Sequence, residues 1–378
     1  MGKILDLLFL LVSHTATIYI KFLCFRDNKV TKEVAAFPYY AKGWPGGYER
    51  IGNWKPYFES EGNTFDIYWC STKKEFEEFL RSKSIIRKYI FHFKVLFRRI
   101  KTLKKLSQYS TIWIQRSFIP YFPYKDSLFE KKLNKLNKNI IIDFYDADYT
   151  NNYNLITNAA KSAKKVSVAT PFLKDYFTRL NANTHHLRMT IDYTKYIEKK
   201  HIDSSDNKIV IGWMGNPGNA LNLKKLEKVF QKIETNYNDI EFHFLCSDLP
   251  MLNIKNLKSF SWDQKNFDYY EWISKIDIGI SPYFGDSDRL KAKPAMKTLE
   301  FMASNIAVVS SIWGSFDKMK DKQDILIADS EQDWYDYLSK LILVKDFRIK
   351  IAKNGNKKMK KFHSYEKQFT QLKKIFEL

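Results

Sequence analysis

The chain has 378 residues, which is long for one small module and predicts two domains of roughly 150 to 200 residues each. Hydrophobic residues make up 44% of it, with 29 Phe, 23 Tyr and 9 Trp, and this composition excludes a globally disordered chain. The formal net charge of +21 favours an anionic partner, but it does not distinguish a nucleic acid from an anionic membrane surface or a phosphorylated substrate.

The amino-terminal segment, residues 1–30, is apolar. Residues 7–20 form a run of 14 uncharged residues, which is shorter than the about 20 that a membrane-spanning helix needs. The segment also lacks the small-residue cleavage site of a secretory signal. Three interpretations stay open: a helix buried in the fold, an anchor that dips into a membrane, or a helix that spans it.

The three cysteines, Cys24, Cys70 and Cys246, are odd in number and widely spaced. This pattern argues against a disulfide framework and favours a reducing compartment. Because no Cys and His cluster has zinc spacing, we predict neither a metal site nor a cofactor.

Residues 31–200 alternate short apolar runs with longer amphipathic stretches. The β-rich runs lie at residues 33–40, 65–70, 111–116, 139–149 and 165–170. Strands that alternate with helices predict a mostly parallel sheet covered on both faces, and therefore one α/β domain.

A polar stretch at residues 196–208 interrupts this pattern, which then starts again at Ile209. The sequence therefore predicts a second α/β domain over residues 201–362, followed by a helix over residues 363–378 that packs back on the first domain. Because ligands of such sheets bind beyond the carboxyl ends of the strands, we expect the chemistry in a cleft between the two domains.

A strongly basic stretch runs from Arg81 to Lys105, with ten basic residues and no acidic one. Its apolar residues recur at spacings of three and four, so a helix over 81–105 would gather them on one stripe with cations beside it. Such a helix suits a membrane interface, although a domain helix with a solvated basic face is the alternative. The cations predicted to bind the membrane are Arg87, Lys88, Lys94, Arg98, Arg99, Lys101, Lys104 and Lys105.

Two segments of the second half together resemble a known family. IGWMGNPGN at 211–219 predicts a strand, a Gly-rich turn and a helix amino terminus, where backbone N–H groups and the helix dipole can receive a phosphate. The segment 277–311 combines a strand, a basic loop and a helix that contains Glu300. In this order the motifs resemble the nucleotide-sugar-binding half of retaining glycosyltransferases of family 4. That family has the GT-B fold, in which two Rossmann-like domains face each other with parallel sheets across a cleft.

The resemblance implies roles for residues of the second domain. In the family, two glutamates separated by seven residues contact the donor sugar and the ribose; here Ala292 stands at the first position and Glu300 at the second. We therefore expect Glu300 to accept hydrogen bonds from the ribose hydroxyls. Lys293 and Lys297 are expected at the donor diphosphate, with Lys293 as a catalytic residue that offsets the charge on the leaving group. The further donor-binding residues predicted in this domain are Gly215, Asn216 and Trp262.

The first domain resembles the family more loosely. Gly46 and Gly47 fall in a glycine-rich loop after the first strand, where the missing Cβ would let the backbone approach the donor phosphates. Arg50 follows on the next helix and is also predicted to bind the donor. Asp146 and Asp148 fall on a strand end that faces the acceptor in the family, and we predict both as catalytic residues, with capping of the next element as the alternative. Their D-x-D spacing has the form of a metal motif, but its position in the first domain argues against a metal role.

The resemblance implies a retaining, metal-independent hexosyltransferase. It would move a sugar from a nucleotide-diphosphate sugar to a saccharide or lipid-linked acceptor in bacterial cell-surface polysaccharide synthesis, such as lipopolysaccharide or capsule. The basic helix adds an anionic membrane surface as a partner and places the protein in the cytoplasm, on the inner face of the membrane. No nucleic-acid-binding module is recognisable. Two other classes stay open: a GT-B enzyme that hydrolyses or epimerises nucleotide sugars, and a binding protein without catalytic activity.

Overall fold

The computed structural model describes residues 2–23, 29–120, 129–200, 208–312 and 318–378. The chain divides into two compact units, the first formed by Met1–Arg188 with Phe369–Leu378 and the second by Met189–Gln368. Each unit contains one six-stranded sheet whose strands all pair in parallel. The prediction of two α/β domains built on parallel sheets is therefore confirmed. Cys24 and most of the polar stretch at 196–208 lie outside the described residues.

The sheet of the first unit has the strand order β2-β1-β3-β4-β5-β6. Its strands are β1 (Lys32–Phe37), β2 (Phe65–Ile67), β3 (Tyr109–Gln115), β4 (Ile140–Phe144), β5 (Lys165–Val168) and β6 (Thr184–His186). The central strands β3 and β4 are apolar on both faces, with Ile112, Trp113, Ile141 and Ile142 all buried. Such continuous apolar strands are expected where helices cover a parallel sheet on both sides.

Eight α-helices of the described chain belong to this unit: α1 (Gly2–Leu23), α2 (Pro45–Arg50), α3 (Lys55–Ser60), α4 (Lys73–Arg81), α5 (Ile85–Thr102), α6 (Glu130–Leu133), α7 (Tyr153–Ser162) and α8 (Pro171–Thr178). The carboxyl-terminal residues also pack here, since the ring of Phe369 lies 5.2 Å from that of Phe58 and Phe376 lies 5.2 Å from Trp113. These edge-to-face contacts tie residues 369–378 to the first unit.

The basic stretch is not one helix. α4 ends at Arg81, and a break at residues 82–84 precedes α5. Ser84 ends the break, because its side chain caps α5 by accepting a hydrogen bond from the backbone N–H of Arg87 at 3.5 Å. α5 ends at Thr102, and a 3₁₀ turn continues over residues 103–108.

The sheet of the second unit has the strand order β12-β11-β10-β7-β8-β9. Its strands are β7 (Ile209–Met214), β8 (Ile240–Leu245), β9 (Leu257–Phe260), β10 (Ile278–Ser281), β11 (Ala307–Ser311) and β12 (Leu326–Ala328). The helices that follow are α9 (Pro217–Lys224), α10 (Glu227–Asn236), α11 (Tyr269–Ser274), α12 (Asp288–Lys291), α13 (Met296–Ala303), α14 (Glu331–Leu343), α15 (Lys345–His363) and α16 (Tyr365–Phe376). The last helix begins in this unit, and from Phe369 onward its residues belong to the first.

Candidate active site

The winding of the second sheet reverses between β7 and β10. β7 pairs with β8 on one side and with β10 on the other, so the chain leaves these two neighbouring strands in opposite directions. In open α/β sheets, the carboxyl ends of the strands at such a point form the crevice in which ligands bind. Gly215 follows β7 here, and Tyr283 lies just beyond β10.

The amine of Lys297, in the first turns of α13, lies buried at this edge and hydrogen-bonds to none of the described residues. It lies 4.6 Å from the ring centroid of Trp213 and 5.4 Å from that of Tyr283. Gly215 leaves the room for it, because a Cβ at that position would come within 2.6 Å of the lysine nitrogen. Buried polar groups in proteins almost always have a partner, so this amine has unused capacity to bind an anion.

The environment of Lys297 also disfavours its charge. Burial, followed by repulsion from Lys293, lowers the pKa of Lys297 to about 7. An anion placed beside the amine would reverse this effect, because an opposite charge favours the protonated form.

Lys293 points to the same edge. Its amine donates a hydrogen bond to the side-chain oxygen of Asn219 at 3.2 Å and lies 4.5 Å from the ring centroid of Tyr283. Asn219 is fixed in turn, because its backbone N–H donates to the side chain of Asn216, which caps the start of α9, at 2.9 Å. The structure thus brings together Gly215, Asn216, Lys293 and Lys297, four of the residues predicted to act on the donor.

Glu300 lies one helical turn after Lys297 on α13. Its carboxylate accepts a hydrogen bond from the hydroxyl of Tyr196 at 3.2 Å. Burial, with the nearby charge of Glu300, also holds the pKa of Tyr269 well above its ordinary range, so this phenol stays protonated. The carboxylate therefore faces a polar and aromatic surface on which hydroxyl groups are its natural partners.

Trp262 reaches this surface from the loop after β9. It is 45% exposed, its indole N–H donates to the carbonyl of Gly215 at 3.4 Å, and its ring centroid lies 5.4 Å from that of Tyr269. An exposed aromatic ring beside this polar edge can stack on the planar base of a nucleotide. Ala292, at the position where the family has its first glutamate, is buried and offers no carboxylate.

Several residues of this edge escape prediction from the sequence: Tyr196, Asn219, Tyr269 and Tyr283. Tyr283 comes directly after the strand end Ser281-Pro282, which is the one local signal that points to it. Asn219 ends the segment IGWMGNPGN, whereas Tyr196 and Tyr269 join the edge through the fold and no spacing in the sequence marks them.

The first sheet also reverses its winding, between β1 and β3, and a second polar cluster lies there. Arg116 follows β3 in the left-handed backbone region, with φ of 64°. Its guanidinium pairs with Asp146 at 2.7 Å and with Asp148 at 3.0 Å, and it lies over the rings of Tyr40 and Tyr145 at 5.3 and 4.6 Å. Asp146 and Asp148, the two predicted catalytic aspartates, are therefore ion-paired with Arg116, which was not among the predicted site residues.

The residues of the first unit that were predicted to bind the donor contact other residues in the structure. Arg50 lies inside the fold, where its guanidinium binds both carboxylate oxygens of Asp143 and donates to the carbonyl of Leu187 at 2.9 Å. Close neighbours leave no room for a side chain at Gly46 and Gly47. A Cβ at either position would come within 2.8 Å of an aromatic ring, that of Tyr40 or of Trp69. In the described structure these residues therefore serve the packing around α2, and Arg50 has no surface to offer a phosphate.

Two of the eight predicted membrane-binding cations also have structural roles. Arg99 is buried, donates to the carbonyls of Pro38 and Tyr68, and has its pKa lowered to about 10 by burial. Arg98 binds Glu75 through two hydrogen bonds of 2.9 and 2.7 Å. Both point toward the domain because the stripe that includes Val95 packs on it. The remaining six are exposed: Arg87, Lys88, Lys94, Lys101, Lys104 and Lys105.

Comparison with known proteins decides which fold this is. Solved glycosyltransferases match nearly the whole chain. A glycosyltransferase from Rickettsia africae matches with a TM-score of 0.63 and 13% identity, over 92% of this chain and 98% of its own. Anabaena HepE in complex with UDP-glucose matches with a TM-score of 0.61 and 11% identity, over 92% and 100% of the two chains. The chain has the GT-B fold. Sucrose-phosphate synthase from Thermosynechococcus elongatus shares it, with a TM-score of 0.61, 10% identity and coverage of 92% and 98%.

A family model also matches part of the second half of this GT-B chain in sequence. Residues 224–374 match the model of a glycosyl transferase-like family. This region includes β8 to β12 and α13, with both lysines and Glu300, so the candidate donor residues fall largely within a glycosyltransferase-like domain. No curated protein matches the chain significantly.

Proposed function

We propose that this protein is a retaining glycosyltransferase of family 4 that transfers a hexose from a nucleotide-diphosphate sugar. The observation that carries the proposal is the buried amine of Lys297, which hydrogen-bonds to none of the described residues at the carboxyl edge of β7 and β10. Solved structures of HepE with UDP and with UDP-glucose support a nucleotide-sugar donor, because that protein has the same fold.

In this proposal the donor diphosphate lies between Lys293 and Lys297, beside the turn at Gly215. Glu300 accepts hydrogen bonds from two vicinal ribose hydroxyls, and Trp262 contacts the nucleobase. Each group matches the chemistry of its partner. The two lysines carry the charge that binds a diphosphate, the carboxylate accepts hydrogen bonds from two hydroxyls, and the indole ring contacts a planar base.

The reaction follows from the same placement. As the bond between the sugar and the diphosphate breaks, negative charge grows on the phosphate oxygen that leaves with the nucleotide. Lys293 and Lys297 already lie at that edge, so they stabilise this charge without reorganisation, which is the largest source of rate enhancement in such transfers. We propose that these two lysines take the role that a divalent cation has in other transferases. The acceptor hydroxyl would attack the anomeric carbon from the face that the diphosphate leaves and would give its proton to the departing phosphate oxygen, so the anomeric configuration would be retained.

We further propose that the acceptor is a saccharide, free or lipid-linked, of cell-surface polysaccharide synthesis, and that it binds at the Arg116 cluster of the first unit. Asp146 is 42% exposed at this edge, and the hydroxyls of Tyr40 and Tyr145 lie 2.6 Å apart. A carboxylate held by Arg116 and two phenols that hydrogen-bond to each other offer several acceptors and donors to sugar hydroxyls. The arginine keeps Asp146 in place, so the residue can position an acceptor.

The experiment is a thermal-shift screen against UDP-, GDP-, ADP-, CMP- and dTDP-sugars, followed by a transfer assay with the best ligand. A ligand that binds the folded state raises the melting temperature by mass action. Transfer with retained anomeric configuration in the presence of EDTA is the expected result. Donor consumption without transfer would instead indicate a hydrolase or epimerase, and the absence of any nucleotide-sugar binding would indicate a protein of another function.

A further inference from the structure

One helix of the first unit leaves most of its apolar surface uncovered. In α1, the segment Lys3–Leu23 is apolar, with a mean hydropathy of 1.5. Only 28% of its most apolar stretch is buried in the fold. The helix packs through Phe9, Ala16 and Ile20. Its exposed apolar side chains are Ile4, Leu7, Leu8, Leu11, Ile18, Tyr19 and Phe22. A core helix would have these side chains covered, and isolated exposed apolar residues do not form a run of this length.

The exposed apolar residues of α5 lie beside this helix. Phe9 of α1 contacts Phe93 of α5 with ring centroids 5.2 Å apart, and Phe93 stacks on the exposed Phe97 at 6.3 Å. The hydroxyl of Tyr89 donates a hydrogen bond to Asp6. The exposed residues Ile86 and Ile90 flank Tyr89 on α5. The two helices thus form one continuous apolar surface, which we call the α1–α5 surface.

Exposed cations border this surface. Six of them lie on α5 and the turn that follows it: Arg87, Lys88, Lys94, Lys101, Lys104 and Lys105. No acidic residue occurs between Arg81 and Lys105. Lys94 pairs with Glu75 of the neighbouring helix α4 at 3.8 Å. Apolar side chains bordered by cations complement a bilayer with anionic headgroups.

A cavity of about 570 Å³ opens between α4 and α5 at the same place. Arg81, Arg87 and Lys94 line it together with Ile90, which also belongs to the α1–α5 surface. Two glutamates reach the cavity as well, and one of them, Glu75, is already held by an arginine of α5. Cations and apolar atoms in one cavity suit a lipid phosphate and the start of its acyl chains.

We propose that the α1–α5 surface docks the protein on a bilayer that contains anionic lipid, with one lipid phosphate in the cavity between α4 and α5. This inference does not depend on the donor site, because all of its residues lie in the first unit and none takes part in the proposed reaction. It assigns α1 to the membrane interface, where its apolar face enters the acyl boundary while Phe9 and Ile20 stay packed on the domain.

The test is flotation of the full chain with vesicles of phosphatidylcholine, with and without phosphatidylglycerol. We expect the protein to float with the anionic vesicles and to bind neutral ones at least tenfold more weakly. Neutralising four lysines should weaken binding about fivefold for each, and about a hundredfold or more together. This variant carries Lys88→Gln, Lys101→Gln, Lys104→Gln and Lys105→Gln. Its control removes the same charge from exposed positions of the second unit, by Lys224→Gln, Lys228→Gln, Lys255→Gln and Lys265→Gln, and should bind as the wild type does.

A second pair of variants tests the contribution of the apolar side chains of α1 to vesicle binding. Leu7→Ser, Leu11→Ser and Ile18→Ser together should reduce vesicle binding at least tenfold, whereas Leu221→Ser, Met251→Ser and Leu343→Ser should not. All six positions are exposed, so the substitutions leave the core intact. Equal binding to neutral and anionic vesicles, an equal loss in the control variants, or no flotation at all would overturn the proposal. So would a dimer in light scattering that the triple Ser variant of α1 abolishes. Release of the protein by inorganic phosphate, but not by chloride at the same ionic strength, would support the phosphate site in the cavity.

Discussion

Replacing Lys297 with methionine tests the central feature of the candidate site. Methionine keeps the length of the side chain and its contact with the Trp213 ring, 4.6 Å from the amine, but removes the buried charge. Burial lowers the pKa of Lys297 to about 7, from an ordinary value of 10.5. Since each tenfold change in proton affinity corresponds to about 1.4 kcal/mol, the protonated amine destabilises the fold by about 5 kcal/mol. The Lys297→Met variant should therefore be more stable than the wild type when no ligand is bound.

The size of this gain depends on pH in a defined direction. Above about pH 7 the folded protein releases the Lys297 proton, whereas the unfolded chain keeps it up to about pH 10.5. Between these values the unfolded state binds more protons, so the free energy of unfolding of the wild type increases as the pH rises. The advantage of Lys297→Met should fall from about 4 kcal/mol at pH 7 to about 2 kcal/mol at pH 9. Urea unfolding at both pH values measures it. A difference in stability that is the same at both would show that Lys297 does not titrate in this range.

Donor binding should reverse these protonation states. A diphosphate beside the amine favours its charged form, so binding of the nucleotide-sugar selected by the thermal-shift screen should take up close to one proton at pH 8. Calorimetry in two buffers of different ionisation enthalpy counts that proton. Lys297→Met should take up none and should bind about tenfold to a hundredfold more weakly. Lys291→Met is the control, because that amine pairs with Asp286 at 2.8 Å. Equal proton uptake in the wild type and Lys297→Met would refute the placement of the diphosphate.

Three further substitutions test two other groups of the candidate donor site and one buried ion pair of the first unit. Glu300→Gln should weaken donor affinity by about 1 to 3 kcal/mol in calorimetry if the carboxylate binds the ribose, and an unchanged affinity would contradict that role. Lys293→Met should lower turnover at saturating donor about a hundredfold, while Lys291→Met keeps it; equal turnover in both would exclude Lys293 as the group that stabilises the leaving phosphate. Asp143→Asn should cost about 3 to 5 kcal/mol in chemical denaturation because it leaves the buried charge of Arg50 unpaired, and a variant of wild-type stability would mean that this pair does not hold the fold.

The sequence is sufficient to predict the two parallel sheets, because strands buried on both faces are largely apolar. Residues 140–142 and 209–214 show this pattern, and β4 and β7 form there. It is less informative about the basic stretch. Helical periodicity continues across residues 82–84, but Ser84 caps a new helix there, and a cap depends on local backbone geometry that periodicity does not contain.

The candidate donor site was predictable where its residues are close in sequence. Gly215 and Asn216 share one turn, and Lys293, Lys297 and Glu300 share the loop and helix after β10, so the family resemblance reached them together. Tyr196 and Tyr269 were not predictable, because only the folded chain brings them near Glu300. Arg50 shows the opposite case: its spacing after the glycines suggested a ligand, whereas its actual partner, Asp143, lies 93 residues away.

The two sheet edges differ in a way that bears on which substrate each receives. At the edge of the first unit, the cations already have carboxylates: Arg50 is paired with Asp143, and Arg116 with Asp146 and Asp148. At the edge of the second unit, the amine of Lys297 lies buried without a hydrogen-bond partner among the described residues. A charged ligand gains most where a buried opposite charge lacks compensation, and an uncharged sugar gains most where hydroxyls and carboxylates are already ordered. The same argument that assigns the diphosphate to Lys297 therefore assigns a neutral saccharide to the tyrosines around Arg116. An exchange of the two roles would leave the buried amine of Lys297 without an anionic partner and bring a dianion against two aspartates.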